Sequence, residues 1–449
     1  MGGMRRASLI IVLILIAALS SYSQQKEGEA SPFKFGFSIG IGTNTFPEGG
    51  VNATYQSLGL YPDIALGKFG LGLDLTLNYT FTGGADNDTF YVRKEDWVPD
   101  SDNSVLDIYL PKLKYIRYGL KGDPLYAKLG SIDDATLGNG FIMGNYANTL
   151  FLPEKRIFGL SLDLDGSLFQ LPLLGVETFV GNLARFDVLG VRPFIRPLVH
   201  TEIPLLKELQ LGATLALDRD PGLYAEASGT EAVILYGADF RLPLVNNPAF
   251  TLATFGDLAF LHQESLGGMV GCGGRLVKFL IYGAQLRILG ENFVPTYFDA
   301  SYDLFRYEKY LIAKGAAEIP GFTSWLATLG TALFGDKLIF TASLEAPFSK
   351  PEPDNENNYL NYPHLYAVLM LQQGIIPNVS LEASYDKRLI RELADLVDPK
   401  DAVIGARLNY SIGVAVLSFL YNIRYRPNPA PGEDSWMVTS GIQSTIQLY

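Results

Sequence analysis

Cysteine and histidine are nearly missing from this 449-residue chain, which has one Cys, Cys272, and three His. No disulfide can form within it. His200, His262 and His364 are the only neutral-pH bases, and no Ser or Asp spacing around them builds a nucleophile triad, so the chain is not read as an enzyme. Charge is scarce as well: 18% of residues are charged, against roughly 25% in ordinary soluble domains. Long apolar runs are absent beyond the eleven residues Leu9 to Leu19, too short for a membrane helix, which needs about 20. A polytopic helical membrane protein is excluded. Phosphate-binding glycine loops and zinc spacings are absent, and Asp100-Ser-Asp-Asn-Ser lacks the glycine and final glutamate of a calcium loop. No cofactor or structural metal is expected.

The chain does have an ordered leader. Arg5 and Arg6, then Leu9 to Leu19, then Ser21-Tyr22-Ser23 follow the sequence of a secretory signal over residues 1–23. Residues 24–32 would form a short periplasmic segment before a single domain at 33–449. Without the leader, 33 basic residues face 47 acidic ones, a net charge of −14. Nucleic acid is an improbable partner for so acidic a chain.

From Phe33 onward, side chains alternate. Phe33, Phe35, Phe37, Ile39 and Ile41 are separated by Lys34, Gly36, Ser38 and Gly40. Leu71 to Phe81 repeats this, with Leu71, Leu73, Leu75, Leu77 and Tyr79 against Gly72, Asp74, Thr76, Asn78 and Thr80. A period of two is a strand. About twenty such segments can be marked (the range is 16–22), beginning at residues 33–41 and 57–67 and ending at 436–449. Connections after even-numbered strands are mostly short, such as Lys68 to Gly70 and Gly413 to Ala415. Those after odd-numbered strands are mostly long, such as 82–112, 132–155, 290–324 and 387–401.

Short turns on one side and long loops on the other fit an all-β fold, a single antiparallel transmembrane β-barrel with short periplasmic turns and long extracellular loops. A soluble propeller would show a repeat of about 40 to 50 residues, and none is found. Hydrocarbon leaves no backbone group unpaired, so spanning strands must close into a ring. Tyr79, Phe81, Phe348, Tyr385 and Tyr425 fall at the long-loop ends of outward faces, where an aromatic girdle would lie.

In this pattern the mature chain resembles the outer-membrane β-barrels of Gram-negative-type bacteria, and among them the porin-like channels. The resemblance implies an outer-membrane location, both termini in the periplasm, and contact with outer-membrane lipid and the barrel-assembly machinery. It also implies that the third outer connection folds inward. Tyr449 provides the terminal aromatic residue of such barrels, but the alternating Ile442, Ile446 and Leu448 are out of phase with it by one.

A barrel of this width needs narrowing. Residues 135–153 carry no charge but include Phe141, Met143, Tyr146 and Phe151, the constriction candidates. The aromatic segment 292–310 is the second candidate loop. Among inward positions, Asp163, Asp165 and Glu177 cluster on one stretch of wall and Arg407, Arg424 and Arg426 on another, with Arg192, Arg196 and Arg287 as further pore-lining candidates. Opposed clusters would set a transverse field favouring polar or zwitterionic solutes, and local cross-strand ion pairs are the alternative. The expected function is passive diffusion of small polar solutes. A transporter for hydrophobic compounds and a structural or adhesive barrel with a sealed lumen remain open, as does the oligomeric state. Acidic outer loops, with Asp354 and Glu356, are candidates for binding divalent cations.

Overall fold

The computed structural model describes residues 33–48, 51–82, 89–101, 103–152, 155–203, 205–225, 227–262, 265–349, 362–425 and 435–448. The expected leader, 1–23, and residues 24–32 lie outside them. The strand segments are β1 (Phe33–Glu48), β2 (Val51–Leu66), β3 (Phe69–Leu73), β4 (Leu75–Thr82), β5 (Thr89–Val92), β6 (Leu113–Tyr118) and β7 (Leu125–Gly130). They continue as β8 (Gly159–Asp165), β9 (Leu174–Val180), β10 (Val188–Ile195), β11 (Gln210–Asp218), β12 (Val233–Asn246), β13 (Thr251–Leu261), β14 (Ser265–Leu276) and β15 (Leu280–Leu289). The last are β16 (Phe322–Leu333), β17 (Leu338–Pro347), β18 (His364–Leu371), β19 (Val379–Lys387), β20 (Ala402–Ile412), β21 (Ala415–Tyr425) and β22 (Trp436–Leu448).

These segments occupy twenty positions in one ring. β3 and β4 both pair with β2 and form one strand broken at Asp74; β6 pairs with β3 and β5 with β4, forming the next. Every neighbouring pair is antiparallel, and β22 closes on β1 from Phe37↔Leu448 to Thr45↔Ser440. Closure satisfies the backbone and leaves no edge. Among the described residues no helix is long and apolar enough to cross a membrane; the strands of a barrel are what cross.

The alternation sorts the two faces as the sequence implies. Outward positions expose large apolar side chains, including Leu258, Val270, Ile288, Leu329 and Leu408, the surface that an outer-membrane barrel turns to lipid. At the long-loop ends the outward rings of Tyr79, Phe81 and Phe90 cluster with centroids 5.3–5.9 Å apart, and Tyr425 meets Trp436 at 5.0 Å.

Two expectations need correction. The first hairpin does not end near Ile41: β1 and β2 run sixteen residues each and stay paired to Glu48↔Val51. Thr45 and Thr54 hydroxyls bond at 2.9 Å, and Phe46 packs on Tyr55 there. Cross-strand pairing extends a hairpin beyond the point where apolar alternation stops. The long connection 82–112 likewise contains β5 and a short helix, α1 (Val105–Tyr109), whose N-cap Ser104 and Asp107 bond reciprocally.

Candidate functional site: two loops folded into the lumen

The third outer connection, 132–155, turns inward and crosses the ring. Its base is held by buried Asn148, whose Oδ1 accepts from Ile132 N at 2.7 Å while Nδ2 donates to the carbonyls of Gly130 and Gly181. At the tip, Gly138 N donates to Glu177 Oε2 at 2.9 Å, and Asn139 Nδ2 donates to Phe240 O and to Asp257 Oδ2 at 2.9 Å. Gly138 has φ +58°, and a Cβ there would stand 2.7 Å from Arg192 Nε, so both conformation and space require glycine. Returning, the loop reaches the opposite wall, where Leu152 O accepts from Asn422 Nδ2 at 2.7 Å. Its contacts therefore run from β12 and β13 on one side to β21 on the other.

The seventh outer connection, 290–321, meets it inside. Thr296 N donates to Phe141 O at 2.7 Å, Phe298 N to Ile142 O at 3.1 Å, and Gly144 N to Phe298 O at 3.0 Å. Phe141, Met143 and Tyr146 are each no more than 2% exposed. They share a core with Phe293, Phe298 and Tyr302, and with the inward Phe179, Val188, Val233 and Leu235 at the outer ends of the wall strands. Phe151 is half-buried, 4.8 Å from the Tyr224 ring.

Helix α2 (Tyr302–Ala313) in this connection is fastened to the wall by Arg306. Its Nε and Nη2 donate to the two oxygens of Asp218 at 2.7 and 2.5 Å, and Nη1 donates to Asp187 at 3.0 Å. Tyr302 Oη also donates to Asp218, at 2.5 Å. Such a buried cation is tolerated only with this degree of pairing. Burial pushes the neighbouring Asp303 carboxyl up to about 7, although Arg306 pulls the other way.

Between the crossing loop and the inner face of β15–β19 lies a cavity of about 300 Å³. Its walls carry charge of both signs in two paired groups. Arg287 pairs with Glu345 at 2.7 Å. Lys309 and Arg388 both donate to Asp299, at 2.7 and 2.8 Å; Asp386 bonds His364 Nε2 at 2.7 Å and accepts from Ser301 Oγ at 2.5 Å. Burial pushes the Lys309 ammonium down to about 8 against the pull of Asp299. Asp299 is itself buried, yet Lys309 and Arg388 hold its carboxyl below the usual range. Arg287, Lys309 and Arg388 are each at most 5% exposed along the side chain, whereas Glu345, Asp299 and His364 show 15–25%. The cations back the site, and the carboxylates and His364 face the space.

The pore-lining candidates are distributed differently from the opposed-field picture. Asp163 pairs with Lys121 at 2.7 Å, Asp165 with Arg196 at 2.6 Å, and Glu177 with Arg192 at 3.2 Å; Arg192 also grips Asp239. The acidic cluster is paired locally, by Arg192 and Arg196 on the wall and by Lys121 in the turn before β7, as in the alternative of local ion pairs. Arg407 lies half-exposed, 3.6 Å from Glu382, and the Arg424 guanidinium sits over the Phe151 ring at 5.0 Å. Arg426 lies outside the described residues. Of the pore-lining candidates among the described residues, only Arg287 borders the cavity. Lys309, Asp299, Arg388 and His364 were not among them, although Lys309 and Asp299 belong to the flagged aromatic segment 292–310.

Among the described residues no three His, Cys, Asp or Glu side chains are grouped to hold a metal; Asp354 and Glu356 lie outside the described residues. No protein-family model and no curated protein matches the sequence. Solved structures similar to the chain include the outer membrane protein OprD from Pseudomonas aeruginosa, at 10% identity and TM-score 0.33 over 94% of this chain and 95% of that one. OccK11 (OpdR) from the same organism is 12% identical with TM-score 0.35 over 94% and 98%. OpdK with vanillate is 11% identical with TM-score 0.35 over 92% and 98%. Identities and TM-scores this low leave the functional reading to rest on the lumen itself.

Proposed function

We propose that this chain is an outer-membrane channel for passive diffusion of small polar solutes, narrowed by the inward parts of its third and seventh outer connections. The observation that carries the reading is the cavity of about 300 Å³ beside β15–β19, lined by Arg287, Glu345, Asp299, His364 and hydroxyl groups such as Ser343 and Thr328. Paired charges of both signs offer hydrogen bonds to a neutral or zwitterionic solute without a net field to trap an ion. A passage for hydrophobic compounds would need apolar side chains facing open space. Phe141, Met143 and Tyr146 instead pack on one another's neighbours in the loop core, which favours the polar reading. Neither reading asks a chemical step of the protein.

Swelling of phosphatidylcholine liposomes carrying the refolded protein tests the proposal. Swelling in an isotonic neutral monosaccharide, declining with solute size, is expected. Liposomes with inserted barrels that swell no faster than empty ones would favour a sealed lumen.

A further inference from the structure

The two most exposed large apolar side chains among the described residues are on neither the lumen nor the strand belt. They are Leu393 at 84% and Val397 at 86%, the first residue and the C-cap of a single turn of 3-10 helix, Leu393–Leu396, in the connection 388–401. Apolar side chains left so open by the chain's own folding need another cover.

Strand parity shows where this turn lies. Asp386 borders the lumen cavity, so Tyr385 and Lys387 point to the outside of the barrel. Yet Lys387 is only 2% exposed, and its cross-strand partner Ala402 is equally buried. The connection 388–401 covers them. Tyr385 Oη donates to Leu396 O at 3.0 Å, and Lys387 Nζ donates to Lys400 O. Arg388, the next residue, turns inward to Asp299, so the connection straddles the rim and then folds down along the outer wall. The turn is fixed in shape: the Asp395 carboxylate accepts from Arg391 N at 2.6 Å and Glu392 N at 3.0 Å, and the Arg391 guanidinium lies over the Tyr362 ring at 5.1 Å. Leu393 and Val397 therefore belong to a turn that lies against the outward residues of β19 and stay uncovered by the chain itself.

We propose that the connection 388–401 is a membrane-interface anchor that seats Leu393 and Val397 among the acyl chains of the outer leaflet. The proposal rests on the membrane reading of the barrel. Its occupant is lipid because the turn adjoins the belt that lipid covers and is held against that wall by bonds to two of the wall's own outward residues.

The test uses Leu393→Cys and Val397→Cys, each in a Cys272→Ala background, labelled with an environment-sensitive dye. The labelled proteins are refolded into phosphatidylcholine vesicles containing lipid doxylated at a shallow or a deep acyl position. Leu408→Cys, on the outward face of β20, serves as reference. Blue-shifted emission at 393 and 397, quenched at least twofold more by shallow than by deep doxyl lipid and little by iodide, supports the anchor. Strong iodide quenching at 393 and 397 while 408 is quenched by lipid would overturn it. Shielding from both quenchers with energy transfer between labelled copies would make a second copy the occupant and overturn it equally. Loss of lipid quenching at 408 as well would mean that the membrane reading itself had failed.

Discussion

The two sides of this lumen use the same residue types to opposite ends. Beside β9–β12, Arg192 and Arg306 are each at most 2% exposed along the side chain and each is held by two carboxylates, Glu177 and Asp239 for one and Asp187 and Asp218 for the other. Arg306 fastens helix α2 to the wall through carboxylates no more than 4% exposed, and Arg192 ties Glu177 and Asp239 together beneath the tip of the crossing loop. Beside β15–β19, Arg287, Lys309 and Arg388 also pair with carboxylates, but Glu345 and Asp299 keep an accessible edge on a cavity. A buried ion pair closed in on all sides, as Arg306 is with Asp218, is a rivet; one left open on a single side is a polar surface.

Breaking the Arg306 rivet should have the largest effect. Arg306→Met leaves Asp218 and Asp187 buried without their cation, a loss of about 3–5 kcal/mol from the seating of α2. The expected outcome is cleavage of residues 290–321 by added protease in a barrel that keeps its strand circular dichroism. Protection equal to the parent would show that the aromatic core alone holds the helix.

The crossing loop comes next. Asn139→Ala removes two hydrogen bonds, one of them to the Asp257 carboxylate, worth together about 1–3 kcal/mol. More frequent transitions between conductance levels should appear in single-channel records, with the barrel's unfolding midpoint unchanged.

A smaller effect is expected from pH. Asp303 sits in the folded loop with its carboxyl raised to about 7, so the seated state binds the proton more tightly than the released one. Seating of α2 is then most secure at and below the ordinary carboxylate range and weakens as pH rises towards 7. Protease access to residues 290–321 should increase across that window, and Asp303→Asn should flatten the dependence.

On the open side the smallest shift is expected. Glu345→Gln removes an accessible carboxylate and leaves Arg287 without its ionic partner, so the reversal potential in a potassium chloride gradient should move towards anion preference. An unchanged potential would place the ion path away from this wall.

Much of this was legible in the sequence. Each of the twenty alternating segments falls on a strand position of the ring, because lipid outside and water inside impose period two on every one. Composition marks both inward loops: residues 135–153 carry no charge and segment 292–310 is rich in aromatic residues, which is rare in a loop exposed to water. The pairing of charges was not legible. Glu177 opposes Arg192 directly across β9 and β10, but that register is fixed by ring closure, not by alternation, and Asp299 meets Arg388 across 89 residues. One clue was present: Val233-Ile234-Leu235 is apolar on both faces, and its inward half is the floor on which the loops rest.

Single-channel conductance of the full chain beside a variant lacking residues 136–145, both refolded into planar bilayers, tests the central claim most directly. Discrete open steps that grow in the shortened variant are predicted. Steps of equal size, or silence from both inserted barrels, would contradict a channel narrowed by its own loops.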